Sequence, residues 1–480
     1  MSPLAHLEAS SDTPLYKQLS DQIRIYIQTG QLSAGDKLPA TRDLASQLGV
    51  NRATVSAAYQ LLESDGLINA QVGRGSFVLP SQTPKPRPSL ILRNELPSPT
   101  GHTNAGISFA SSRPSQDLFP LSEFRDVCGE VLDSPDLPSI LQLGSPFGYE
   151  PLRQWLISQS GSHNDVVITN GCQQALDLLA RVLVKPGDTV VVEDPVYPGL
   201  REPFARAGAR LLGVPIGADG CSLDALEPLL ARERPRLVLV TPSFQNPTGA
   251  SLPLESRRRL ILMARASGAT LIENDIYSAL RYEGDALPSL KRLDDAGAVI
   301  QLGSFSKVSF PGLRVGWVLA PPQIAASLAE AKQWSDLHSD HLSQAVLLRF
   351  AQSGRLQRHL RRMVAAGAER LAACLEACAT FLPDGSHFTR PRGGMNLWVR
   401  LPAAVDTARL LRRAEDSGVS YLPGPFFSLS GGEHSSLRLS FAVLEPDKIR
   451  EGVSILANLF QQELERAGGA PDTQPAFAMV

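Results

Sequence analysis

Lysine is scarce in this chain, with eight among 480 residues. Cysteine is scarcer: the five residues Cys128, Cys172, Cys221, Cys374 and Cys378 are scattered and form no CxxC pair. That excludes a disulfide framework and points to a reducing compartment, the cytoplasm. Neither charge sign dominates. Net charge is -2 at neutral pH, so bulk charge advertises neither a nucleic-acid nor a membrane partner. No run approaches the roughly 18 apolar residues of a membrane span. The opening MSPLAHLEASSDTPLY has neither a basic start nor an apolar h-region, so no signal peptide is expected. What is present is ordinary globular material, 43% hydrophobic and 20% charged. At about 100–200 residues per domain, two to four domains are expected.

Three zones and a tail follow from the pattern. Residues 12–80 read as helices followed by a hairpin. Ile23, Ile27 and Leu32 recur on one apolar stripe. In LPATRDLASQLGV, Thr41 is placed to cap a helix ended by Gly49. In NRATVSAAYQLLESDGLI, Asn51 caps a second helix, with Val55, Ala58, Tyr59 and Leu62 inward and Gly66 as its stop. INAQVGRGSFVL reads as two short strands around a glycine-rich turn. Residues 81–106 are rich in proline and small polar residues and read as a linker. Its reach is roughly 30 Å as coil and roughly 80 Å as polyproline. Residues 107–465 alternate short apolar runs (TVVVE, RLVLVT, ATLIEND, VIQLGSF) with amphipathic stretches. That argues for βα units and a mostly parallel sheet. From about Gly393, strands NLWVRL and SLRLSFA mix with helices, as in a smaller α+β subdomain. Residues 466–480 read as a disordered tail.

Two helices joined at Gly49-Val50 and followed by a β wing form a winged helix-turn-helix pattern. Asn51, Arg52 and Thr54, at the start of the second helix, would meet base edges or phosphates. Thr41 and Arg42 would touch the backbone, and Gly73 and Arg74 would form the wing tip. Residues 12–80 carry six positive and six negative side chains, so the arginines matter by placement, not number. Spacing alone leaves a small helical protein-interaction domain open. The motifs GDKLPATR, LGVNRATVSAAYQLLES and GRGSFV, however, resemble a GntR-family head along its whole length. The resemblance implies DNA contacts from Arg42, Asn51, Arg52, Thr54 and Gly73. It also implies dimers on repeated half-sites.

Lys307 lies in GSFSKVSFPGLRVGW, after a strand-like run. Phe305, Val308, Phe310 and Trp317 can desolvate its amine. Ser304 and Ser306 leave one face and, with the Arg314 fork, can hold a phosphate. The turn into a helix at ITNGCQQALDLL offers the free N–H groups of Cys172 and Gln173 to the same anion. Asn246 follows the strand RLVLVT, Tyr197 follows TVVVE, and Asp275 and Tyr277 follow ATLIEN. Arg438 sits mid-strand in SLRLSFA, where a substrate carboxylate is a natural partner. Each also has a plainer reading: a helix cap for Asp275, a core aromatic for Tyr197, half of an ion pair for Arg438. His338 and His341 suggest a metal, but no third ligand accompanies them.

SFSK…PGLR, QNPTG, END-IY and LRLSF occur in the order seen in fold-type I aminotransferases, which residues 107–465 closely resemble. That implies pyridoxal 5′-phosphate (PLP) held as a Schiff base on Lys307, with Asp275 on the ring nitrogen as the second catalytic residue. It further implies Asn246 and Tyr277 on O3′, Ser304, Ser306 and Arg314 on the phosphate, Tyr197 stacked on the ring, and Arg438 on a substrate carboxylate. A GntR head joined to this domain resembles the MocR/GabR subfamily of regulators, as does FASSRPSQDLFP at residues 109–120. The fold expected is therefore a winged helix-turn-helix plus a type I PLP-dependent transferase fold. Leu143 stands where relatives usually carry a tyrosine that reaches the partner subunit's phosphate, and Ser112 replaces a usual glycine. Both weigh against full transaminase turnover. The reading is a cytoplasmic homodimeric regulator that binds operator DNA and senses PLP, an amino compound, or both. The alternatives are a working aminotransferase with an accessory head, and a regulator of vitamin B6 metabolism that senses PLP alone.

Overall fold

The structure, a computed structural model, describes residues 7, 13–28, 32–71, 75–79, 106–160 and 164–468. Gly73, Arg74 and nearly all of the expected linker and tail lie outside these residues. The chain divides into two compact units, Met1–Glu95 and Leu96–Val480.

In the smaller unit, helices Leu15–Gln28, Thr41–Leu48 and Arg52–Ser64 precede the antiparallel strands Ile68–Gln71 and Gly75–Val78. One core ties them together. Ile23, Val55, Ala58, Tyr59 and Leu62 are buried in it, and Ile27 and Leu32 pack on its edge. The apolar spacing predicts this face residue by residue. Gly49 ends its helix in the left-handed region at φ 66°, where a side chain would be strained. One expectation needs correcting. Thr41 does not cap its helix; the extended residue before the first turn is Ala40, and Thr41 is already helical. Asn51 does cap, its side-chain oxygen accepting from the Ala53 N–H at 2.9 Å.

The larger unit is built on an eight-stranded mixed sheet. Its spatial order is Asp165–Thr169, Gly316–Ala320, Val299–Ser304, Thr270–Asn274, Leu237–Val240, Thr189–Asp194, Arg210–Gly217, Gly220–Cys221. The central pairings are parallel; Gly316–Ala320 and the short Gly220–Cys221 edge run against their neighbours. Both faces are covered, so the strands are buried on both sides. Val190, Val192, Leu239, Ile272, Ile300 and Leu302 meet helix Cys172–Leu183 on one face. Val191, Val238, Leu271 and Val299 pack with helix Leu254–Ser267 on the other.

A second sheet, all antiparallel, carries Asn396–Arg400 and Ser436–Ser440 at its centre. Its core takes in helix Arg355–Phe381 and the last helix, Pro446–Gly468. It also takes in Ile107 and Phe109, because Ile107–Ser108 pairs with Val419–Ser420. The smaller subdomain thus begins with the first residues of the unit and not only at Gly393. Residues 466–468 belong to the last helix, not to a tail.

Candidate functional site

Parallel strands leave their loops at one edge, and a cavity of about 320 Å³ opens there. Lys307 enters it from the short 3-10 turn Phe305–Lys307 that follows strand Val299–Ser304. Its ammonium donates to the Ser112 carbonyl and lies 5.7 Å from the centre of the Tyr277 ring. Phe305 and Phe310 are buried behind it.

One end of the cavity is an anion cradle. Helix Cys172–Leu183 starts at Gly171 without a side-chain cap, so its first N–H groups are free to meet a ligand. Arg314 lies across this terminus, donating to the Asn170 carbonyl at 3.3 Å and the Ser306 hydroxyl at 3.5 Å. Gly171 has φ 79°, and a Cβ there would stand 2.3 Å from the Arg314 guanidinium. The positive φ favours glycine there, and any side chain would push the Arg314 fork aside. Ser304 accepts from the Ser306 N–H at 3.0 Å, which fixes the turn. No carboxylate pairs with Arg314 among the described residues, so the cradle holds uncompensated positive charge. The Cys172 thiol is pushed up to about 11 by burial, which leaves it a neutral wall and not a nucleophile.

The opposite wall is a chain of hydrogen bonds. The Asn246 amide donates to the Tyr277 hydroxyl at 3.4 Å, and its oxygen accepts from Arg438 at 3.0 Å. Arg438 also donates to the Ala110 carbonyl, lies 5.1 Å over the Phe427 ring, and is 1% exposed. Its Nε has no partner, and no acid faces it among the described residues. The ion-pair reading is therefore excluded. Burial lowers even this guanidinium, to about 10. A buried cation without an anion is costly unless a ligand supplies one. Tyr197 lines the same cavity beside Gly199 and Leu200. Gln173 lines it too, and its side chain donates to the Gly199 carbonyl at 3.2 Å.

Asp275 is the exception, and the expectation for it must be corrected. It does not reach the cavity. Its carboxylate accepts from Gln301 at 2.9 Å on the other face of the sheet, where burial raises its pKa and Ser278 and Arg257 oppose that rise. Strand alternation explains this. Ile272 belongs to the cavity-side core and Leu271 to the opposite one. Position 274 therefore faces the cavity and 275 faces away. Tyr277 comes back to the cavity only because the strand has ended at Asn274. The residue that faces the cavity is Asn274, which the sequence reading missed. Continuous burial along TLIEN hides the alternation that would have revealed it.

In the smaller unit, Arg42, Asn51 and Arg52 are exposed, and Thr41 and Thr54 are half-buried. Arg24 is neutralised by Asp21 and Asp65. Arg42 and Arg52 have no acid partner among the described residues. Each stands in the first turn of its helix, Arg42 in Thr41–Leu48 and Arg52 in Arg52–Ser64.

Two family models match the chain: bacterial regulatory proteins of the gntR family over residues 15–78, and aminotransferase class I and II over residues 130–456. It is 32% identical to the probable rhizopine catabolism regulatory protein MocR of Rhizobium meliloti, over 97% of both chains. It is 41% identical to 2-aminoadipate transaminase of Thermus thermophilus, over 72% of this chain and 88% of that one. Among solved structures, LysN, the α-aminoadipate aminotransferase of Thermus thermophilus, matches with a TM-score of 0.73 at 38% identity. It covers 77% of this chain and 96% of that chain. The multiple substrate aminotransferase of Thermococcus profundus has the same TM-score at 34% identity, over 76% of this chain and 93% of that one.

Proposed function

Because the chain belongs to the MocR-like regulators, with a GntR-type DNA-binding head fused to a class I and II aminotransferase domain, we propose that its cavity holds PLP on Lys307 and reads a small amino acid through Arg438. The observation that carries this reading is Arg438, a cation buried in the same cavity as the amine and without an anion of its own.

PLP fits the residues present. The solved relative LysN is described in complex with an N-(5′-phosphopyridoxyl) amino acid, and another relative with PMP. Bound PLP supplies an aldehyde carbon that primary amines capture, and a ring that draws electrons. Lys307 would be the amine that holds it. The free helix N–H groups of Cys172 and Gln173, with Ser304, Ser306 and Arg314, would take the phosphate. Asn246 and Tyr277 would hold the ring hydroxyl, and Tyr197 would cover a ring face. Arg438 would bind the carboxylate of an amino compound presented to the same cavity. The operator side falls to Thr41, Arg42, Asn51, Arg52 and Thr54, and to Gly73 and Arg74, which lie outside the described residues. We further propose a cytoplasmic homodimer, in which two heads read repeated half-sites. Leu143 is 75% exposed and does not line its own chain's cavity, in keeping with a place at a subunit interface. No helix among the described residues is long and apolar enough to cross a membrane.

The test is Lys307→Ala. The parent chain should show the visible absorbance of protein-bound PLP, and the variant should lose it completely. A gel shift on the upstream intergenic region should respond to PLP and to a panel of amino acids in the parent only. A variant that keeps the parent's response overturns the reading. The 41% identity to a transaminase favours a second reading, a working aminotransferase. Steady turnover of amino acid and 2-oxo acid, without any operator complex, would establish it.

A further inference from the structure

The cavity contains cations, amides, hydroxyls and a thiol, but among the described residues no carboxylate lines it. A PLP ring used as a strong electron sink needs its nitrogen protonated, and a buried pyridinium needs a counter-charge. We propose that Asn274 is the partner of the cofactor's ring nitrogen, and that this nitrogen consequently stays unprotonated. The inference rests on PLP lying in the cavity as proposed above.

Asn274 is reached by elimination. Lys307 takes the aldehyde carbon, and Asn246 and Tyr277 are joined to each other at the ring hydroxyl. The phosphate lies with Arg314. The ring nitrogen lies across the ring from the aldehyde carbon, and Asn274 is the polar side chain left at the strand end on the cavity floor. It is 2% exposed, and its Oδ1 has no hydrogen-bond partner. Its Nδ2 donates to the Thr241 hydroxyl at 3.2 Å. A hydroxyl can donate as well as accept, so the amide is equally well held when turned over. Turned over, Nδ2 donates to the ring nitrogen's lone pair and Oδ1 accepts from Thr241. Every polar atom is then satisfied without any added charge. The other orientation needs a ring proton, and hence a second buried cation near Arg438 with no acid to balance it. Burial disfavours that charged form. Asp275 cannot supply the acid, because it lies on the far face of the sheet, bonded to Gln301.

The consequence separates two chemistries. Exchange of one amine for another at the aldehyde carbon places no negative charge in the ring. Removal of the ligand's α-proton does. A neutral ring permits the first and slows the second. The site therefore suits reversible capture of an amino acid better than its conversion.

Ring-15N-labelled PLP reconstituted into the full chain, observed by solid-state NMR, tests the point directly. The wild type should give the signal of an unprotonated pyridine nitrogen across neutral pH. N274D should move it to the pyridinium position. N274D should also speed the loss of visible absorbance in single-turnover reaction with L-alanine by on the order of 10²-fold, the usual weight of one charge-stabilising group. A pyridinium signal in the wild type overturns the inference while leaving PLP binding intact, and that result stands even if N274D fails to fold. If added PLP gives no visible band in the wild type, the cofactor reading falls, and this inference with it.

Discussion

The two units carry their functional residues in opposite physical states. In the head, Arg42, Asn51 and Arg52, the residues proposed to meet DNA, stand in solvent, and none costs the fold anything. In the larger unit, Arg438 and Asn274 are buried, and among the described residues both are incomplete. Arg438 lacks an anion and Asn274 Oδ1 lacks a donor. A buried group left unsatisfied points to its ligand by its cost. An exposed one points to nothing until sequence pattern or a relative identifies it. Stability and binding should accordingly be coupled in the cavity and separate at the head's two arginines.

Arg438 tests that contrast with the largest effect. Arg438→Met should weaken binding of a carboxylate-bearing amino compound by about 2–4 kcal/mol, roughly 30- to 1000-fold. The visible absorbance of bound PLP should persist. Thermal unfolding should not drop in proportion, because the change removes a buried charge that has no partner. Titration of the visible spectrum with the ligand measures the first effect and a melt measures the second. A variant that loses stability and keeps its ligand affinity would show that Arg438 is structural.

A second buried group of the larger unit has no evident ligand, and it should report on stability alone. His359 is fully buried in helix Arg355–Phe381, neither ring nitrogen has a partner, and it stacks on Phe310 at 6.4 Å. Burial, with Arg362 adding to it, lowers its pKa from 6.5 to about 4. Below pH 6.5 the unfolded chain therefore binds a proton that the folded chain refuses. Stability is lost as pH falls from about 6.5 toward about 4, and the deficit reaches about 2 kcal/mol at pH 5. Denaturant midpoints between pH 7 and pH 5 should show that acid limb, and His359→Leu should flatten it. An equally steep limb in the variant would assign the sensitivity to other groups.

What the sequence made legible follows the same division. The head's core was readable because a helix buried on one side advertises its stripe, as Val55, Ala58, Tyr59 and Leu62 do. The strands of the larger unit and the gathering of Lys307, Asn246, Tyr277, Ser304 and Arg438 at one sheet edge were readable from motif order. Which face each residue takes was not. Strand Thr270–Asn274 is buried on both sides, so nothing in its apolar run distinguishes position 274 from position 275. A one-residue error in face moved the expected carboxylate across the sheet. The junction of Ile107 and Phe109 with the last helix was likewise hidden, because it joins residues more than 300 positions apart.

The smallest effects belong to the head, and there two arginines should behave differently from each other. Arg52 opens the helix proposed to enter the major groove, and Arg42 lies in the first turn of the preceding one. If Arg52 reads a base edge, Arg52→Ala should cost about tenfold on the operator and less on scrambled DNA, so the preference narrows. If Arg42 holds a phosphate, Arg42→Ala should weaken both DNAs alike and lower the salt slope by about one. Fluorescence anisotropy with the two DNAs over a range of salt separates these outcomes. Neither change should move the melting temperature, since both side chains are exposed and unpaired. A clear loss of stability from either would mean that binding and stability are coupled in the head as well.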